Sequence, residues 1–124
     1  MKGNDISDRF LAFGAGVLLM TKEIPKDPAA RHVFQQLVRA TTSGGANYEE
    51  TRAAESRSDF IHKLSIAAKE TREALYWLRL IERALYTGVA VTDLIREANQ
   101  LVAILTSSIK TAKRNGGPKH RSPD

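Results

Sequence analysis

The chain has 124 residues, of which 42% are hydrophobic, 27% charged and 6% aromatic, with no cysteine. That supports one domain with a real core; it excludes a disordered or collagen-like chain and any disulfide scaffold, thiolate metal site or cysteine nucleophile. The net charge of +5 divides unevenly: residues 110–124 hold five cations and one anion, while residues 1–109 hold 14 cations against 13 anions. A uniformly basic nucleic-acid-binding surface does not partition in this way.

The first segment carries apolar residues at Ile6, Phe10, Phe13, Val17, Met20 and Ile24. Intervals of four and three place them on one helical face. The uncharged run from Phe10 to Met20 is too short for a bilayer span of about 20 residues. Asp5 and Asp8 before it and Thr21-Lys22-Glu23 after it do not form a signal peptide. The expectation is a cytoplasmic protein, off the membrane, whose first helix is well buried. Pro25 stops that helix, and Asp27 with Pro28 supplies the next cap and first position.

The second helix is predicted from Pro28 to about Ala54, with Ala30, Phe34, Leu37, Thr41, Gly45 and Tyr48 on one face. Gly44-Gly45 costs roughly 1 kcal/mol per glycine relative to alanine, which points to a kink or a close helix crossing. A polar row, Arg39, Ser43, Asn47 and Glu50, flanks the apolar face. Its two charges are expected to be partly buried, with Ser43 and Asn47 completing a structural hydrogen-bond network.

Ser56-Arg57-Ser58-Asp59 has the form of a capping box and opens a third helix reaching about Tyr86. Phe60, Leu64, Ala67, Thr71, Ala74, Leu78, Ile81 and Leu85 form its stripe. Gly88 suits the left-handed position after a helix, and Thr92 offers the cap of a fourth. That helix carries Leu94, Ala98, Leu101, Leu105, Ser108 and Ala112, ending at Asn115-Gly116-Gly117-Pro118. Four such stripes predict an all-α, antiparallel up-down four-helix bundle over residues 1–114, followed by a flexible basic tail at 115–124.

Helix three carries more apolar surface than one seam uses. Ile61, Ala68 and Leu75 extend the core face. Ile66, Trp77, Leu80 and Ala84 lie off it and read as an oligomer interface. The expected partner is therefore a second copy of the chain.

Gln36-Leu37-Val38-Arg39-Ala40, Ser43, Ala46-Asn47 and Glu50 resemble the second-helix signature of a bacterial four-helix-bundle family. That family was first noticed in intervening sequences of large-subunit ribosomal RNA genes. Ser58-Asp59-Phe60-Ile61-His62-Lys63-Leu64-Ser65-Ile66-Ala67 and Tyr76-Trp77-Leu78-Arg79-Leu80 resemble its third-helix signature. Gly44-Gly45 stands where the family usually has an apolar residue and a proline, and Thr51 where a glycine commonly follows the glutamate. The resemblance spans about residues 8–113 and implies a homopentameric ring of up-down bundles. A related branch, the accessory variability proteins of diversity-generating retroelements, binds nucleic acid through a broadly basic body that this chain lacks.

No enzyme chemistry is expected. The di-iron pattern of a helical bundle needs two Glu-x-x-His motifs, and the nearest feature is the single Asp59-x-x-His62. His32 has no carboxylate at ligand spacing and His120 sits in the tail. No metalloprotease, phosphate-loop, dinucleotide or serine-elbow motif occurs. No metal, cofactor or small-molecule substrate is therefore expected. The sequence predicts a non-enzymatic oligomeric scaffold. The alternative is a nucleic-acid-binding accessory protein in which Lys110, Lys113, Arg114, Lys119 and Arg121 contact DNA or RNA phosphates.

Overall fold

The structure, a computed structural model, describes residues 3–86 and 88–115. Among these, α1 spans Gly3–Met20, α2 Pro28–Thr51, α3 Arg57–Ala84 and α4 Val89–Asn115, with a single 3-10 turn at Thr21–Glu23 and no strand. The helices alternate in direction. Phe10 of α1 stacks on Tyr48 of α2, while Gly14 faces Thr41. Glu50 of α2 pairs with Lys63 of α3, while Arg39 pairs with Glu70 and Glu73. Arg57 of α3 reaches the Ala112 carbonyl of α4, and Arg9 of α1 pairs with Glu97 of α4. These opposed registers close an antiparallel up-down bundle in the order α1, α2, α3, α4.

The stripes form the core. Ile6, Phe10, Phe13, Val17, Met20 and Ile24 are all buried, and so are Leu37, Leu64, Leu78, Ile81, Leu101 and Leu105. Each such leucine or isoleucine contributes about 1.5–3 kcal/mol through burial. Of the row flanking the α3 stripe, Ala68 and Leu75 are buried and Ile61 is half-buried.

The caps explain where the helices begin. Asp27 accepts the Ala30 amide at 2.9 Å ahead of Pro28. Ser56 Oγ accepts the Asp59 amide at 3.0 Å, and Asp59 in turn accepts the amide of Glu55 rather than of Ser56. Both satisfy backbone donors that a helix start leaves without partners.

The turn into α4 differs from expectation. Gly88 lies outside the left-handed region. Its carbonyl accepts the Thr92 amide, so α4 begins at Val89 and Thr92 sits within its first turn. The earlier start carries Val91 into the core, where it is fully buried. The helix-three end is carried instead by the Leu85 and Tyr86 amides, which both donate to the Ile81 carbonyl.

Candidate interaction surfaces

The two glycines of α2 face different helices. Gly44 is buried against α3, where an added Cβ would lie 2.8 Å from the Thr71 hydroxyl. Gly45 faces Phe10 of α1 at an ordinary 3.6 Å. The close crossing expected from the pair is therefore made by Gly44.

The polar row of α2 lies along the outer edge of the α2–α3 seam. Ser43 and Asn47 meet, the Asn47 amide donating to the Ser43 carbonyl at 2.9 Å. Arg39 and Glu50 are exposed rather than partly buried, because their long side chains reach past the seam to α3. Arg39 donates to Glu70 at 3.1 Å and to Glu73, while Glu50 accepts from Lys63 at 3.1 Å. The four residues thus form one local pair and two separate bridges, not a single network. Hydrogen bonds from Arg39, and then from Trp77, hold the Glu73 carboxyl below its usual range.

Of the apolar residues off the α3 stripe, Ile66, Trp77 and Leu80 are half-buried and Ala84 is exposed. Trp77 is anchored within its own chain. Its indole N–H donates to Glu73 at 3.0 Å, and its ring stands edge-on to Tyr76 and His32. Tyr76 beside it is 58% exposed.

The larger uncovered surface lies on α1. Leu11, Leu18 and Leu19 are 70%, 51% and 60% exposed, and Ala12 and Ala15 between them are also exposed. The first helix is therefore buried on one face only. The signal was present in the sequence: these leucines lie off the stripe just as Trp77 and Leu80 do on α3. A shallow apolar groove of about 440 Å³ runs beside them, lined by Phe10, Gly14, Thr41, Gly45 and Ala46. Thr41 Oγ1 is buried at this seam with no hydrogen-bond partner among the described residues.

A second cavity, about 600 Å³, opens between Ile6, Tyr48, Phe60, Leu64 and Ile104, with Arg52 and Ser107 at its edge. Burial pushes the Tyr48 phenol up from its ordinary pKa. Arg52 is engaged by Ser7 at 3.0 Å. Among the described residues no group of three or more His, Asp or Glu is placed to hold a metal ion. His62 is exposed, and Asp59 is committed to its cap. No described helix is long and apolar enough to cross a membrane.

At the end of α4, Lys110, Lys113 and Arg114 are exposed. Lys119 and Arg121, and the rest of the predicted tail beyond Asn115, lie outside the described residues.

A family model described as 23S rRNA-intervening sequence protein matches residues 3–107. Among solved structures, the chain is similar to a protein with unknown function from the S23 ribosomal protein family of Bacteroides thetaiotaomicron VPI-5482. The two are 34% identical with a TM-score of 0.79, over 89% of this chain and 99% of that one. No curated protein matches it.

Proposed function

Because the chain belongs to the 23S rRNA-intervening sequence protein family, and because its bundle leaves apolar surface outside the core, we propose that it is a non-enzymatic, self-associating scaffold. Copies assemble in the bacterial cytoplasm as a ring, a homopentamer on the family resemblance. Ile66, Trp77, Leu80 and Ala84 of α3 form one contact surface of that ring.

One observation carries this reading: Leu11, Leu18 and Leu19 stand open to solvent on a helix with no charge between Arg9 and Lys22. Contiguous exposed apolar patches on small domains mark interaction sites. A ring needs two different surfaces per subunit, since its contacts run head to tail, and the off-stripe face of α3 supplies one of them. Sedimentation equilibrium at micromolar concentration tests the proposal. The expected mass is several times the 13.7 kDa of the chain; a monomer overturns it.

The exposed cluster of Lys110, Lys113 and Arg114 supports a second reading, an accessory protein that grips nucleic-acid phosphates. No aromatic residue lies among these cations, which argues against base stacking. Because Ala112 between them is buried, substitution tests this better than truncation. Changing all three to glutamine should abolish a low-salt electrophoretic mobility shift of the intact chain. Absence of any shift in the intact chain removes the reading.

A further inference from the structure

The outer face of α1 carries a patterned stripe that a ring contact on α3 leaves uncovered. Asp8, Leu11, Ala15, Leu18 and Lys22 follow one another at intervals of three and four, and all five are exposed. They therefore form one stripe along the helix and its closing turn. The stripe is symmetric about Ala15: leucines lie three to four residues to either side, and opposite charges lie seven residues to either side. Neither Asp8 nor Lys22 has an ion-pair partner among the described residues.

We infer that this face docks antiparallel on the same face of a second copy, around a two-fold axis at Ala15. Antiparallel placement sets Asp8 opposite the partner's Lys22 and Lys22 opposite the partner's Asp8. It sets Leu11 against the partner's Leu18, and Ala15 against its own equivalent. A two-fold contact requires this self-complementarity, because each residue pair then occurs twice. A parallel arrangement would instead stack Asp8 on Asp8 and Lys22 on Lys22. The small residue at the centre, Ala15, lets two helices approach to the 8–10 Å or so of close packing. The groove beside it, floored by Gly45 and Ala46, is open to receive a leucine from the partner.

This inference rests on the self-association reading and deepens it. A contact made by one helix on its own copy is modest beside the roughly 800 Å² per partner of a standard interface, so it acts as a second contact that joins assemblies in pairs. A head-to-tail contact sets the ring number, and the two-fold contact doubles it.

The absence of cysteine makes the test direct. Ala15→Cys places one thiol at the proposed axis, where the two copies come within disulfide range. Val89→Cys, at a residue 77% exposed near the start of α4, serves as the control. Under mild oxidation Ala15→Cys should form a covalent dimer roughly tenfold or more faster than the control, since paired thiols do not wait for diffusion. In that background Asp8→Lys should slow cross-linking, and adding Lys22→Asp should restore it. No preferential cross-link in a chain that still sediments as an oligomer overturns the α1 pairing and leaves the scaffold standing. A monomer in sedimentation overturns both. Cross-linking that the charge reversal leaves unchanged, or that the swap does not restore, overturns the antiparallel register. Co-flotation with phosphatidylglycerol vesicles in place of cross-linking assigns the face to lipid and likewise overturns the proposal.

Discussion

Thr71 of α3 stands against bare backbone at Gly44 of α2, so close that a Cβ on Gly44 would lie 2.8 Å from its Oγ1. The hydroxyl is not free to turn away. It is buried and donates to the Ala67 carbonyl at 2.7 Å. Gly44→Ala should therefore destabilise the bundle by about 1–3 kcal/mol through overpacking, outweighing the roughly 1 kcal/mol gained in helix propensity. Combining it with Thr71→Ala should show a favourable coupling of about 0.5 kcal/mol or more. Urea midpoints of the four variants in the cycle measure this. A raised midpoint for Gly44→Ala alone would refute the close crossing.

The next residue should behave in the opposite sense. Gly45 has only ordinary contacts with Phe10, the nearest at 3.6 Å. Gly45→Ala should therefore recover up to about 1 kcal/mol of helix propensity. A loss comparable to that at Gly44 would mean that α1 and α2 lie closer than described.

Thr41 offers a stabilising substitution of a different kind. Its Oγ1 is buried without a partner among the described residues, and such a group costs about 1–3 kcal/mol of desolvation. Thr41→Val replaces the hydroxyl with a methyl of similar shape, and thermal unfolding should shift upward by about 1 kcal/mol. A downward shift would show that the hydroxyl is satisfied.

Acid stability should report on Arg39. Its hydrogen bond, followed by that of Trp77, lowers the Glu73 pKa from the ordinary value of 4.5. A carboxylate with a depressed folded pKa contributes stability above its unfolded pKa and loses it as pH falls through the folded one. The wild-type chain should thus lose this contribution only as pH falls from 4.5 toward the lower folded value. Arg39→Ala should flatten that part of the curve while leaving the chain folded at neutral pH. Because Arg39 is exposed, added salt should shrink the difference. Unfolding of Arg39→Ala at neutral pH would show that the bridge does more than brace the surface.

Removing a cap tests the start of α3. Ser56 Oγ accepts the Asp59 amide, so Ser56→Ala should cost about 0.5–2 kcal/mol. Ser56→Asp should restore most of it. If both variants unfold with the wild-type chain, the cap is not holding the helix.

Much of the bundle was legible in the sequence because helical periodicity is local. Six residues of the first stripe, from Ile6 to Ile24, share a face whatever lies beyond them, and all six are buried. Asp27 and Ser56 could be read as caps for the same reason, since a cap needs only its own first turn.

What periodicity leaves open is how far each neighbour covers a helix, and which neighbour it is. The α1 stripe from Ile6 to Met20 is buried and Leu11, Leu18 and Leu19 are not, because α2 and α4 pack against the stripe's side of the helix. Gly44 rather than Gly45 makes the tight crossing, because adjacent residues on a helix point about 100° apart and the rotation of α2 is set by α1 and α3 together. Gly88 caps α4 instead of ending α3, because Val91 is drawn into a core that exists only once four helices meet. Arg39 and Glu50 find partners 13 to 34 residues away, a distance along the chain at which spacing carries no information. Local geometry decided what each helix is; tertiary packing decided which faces it hides and which it still offers.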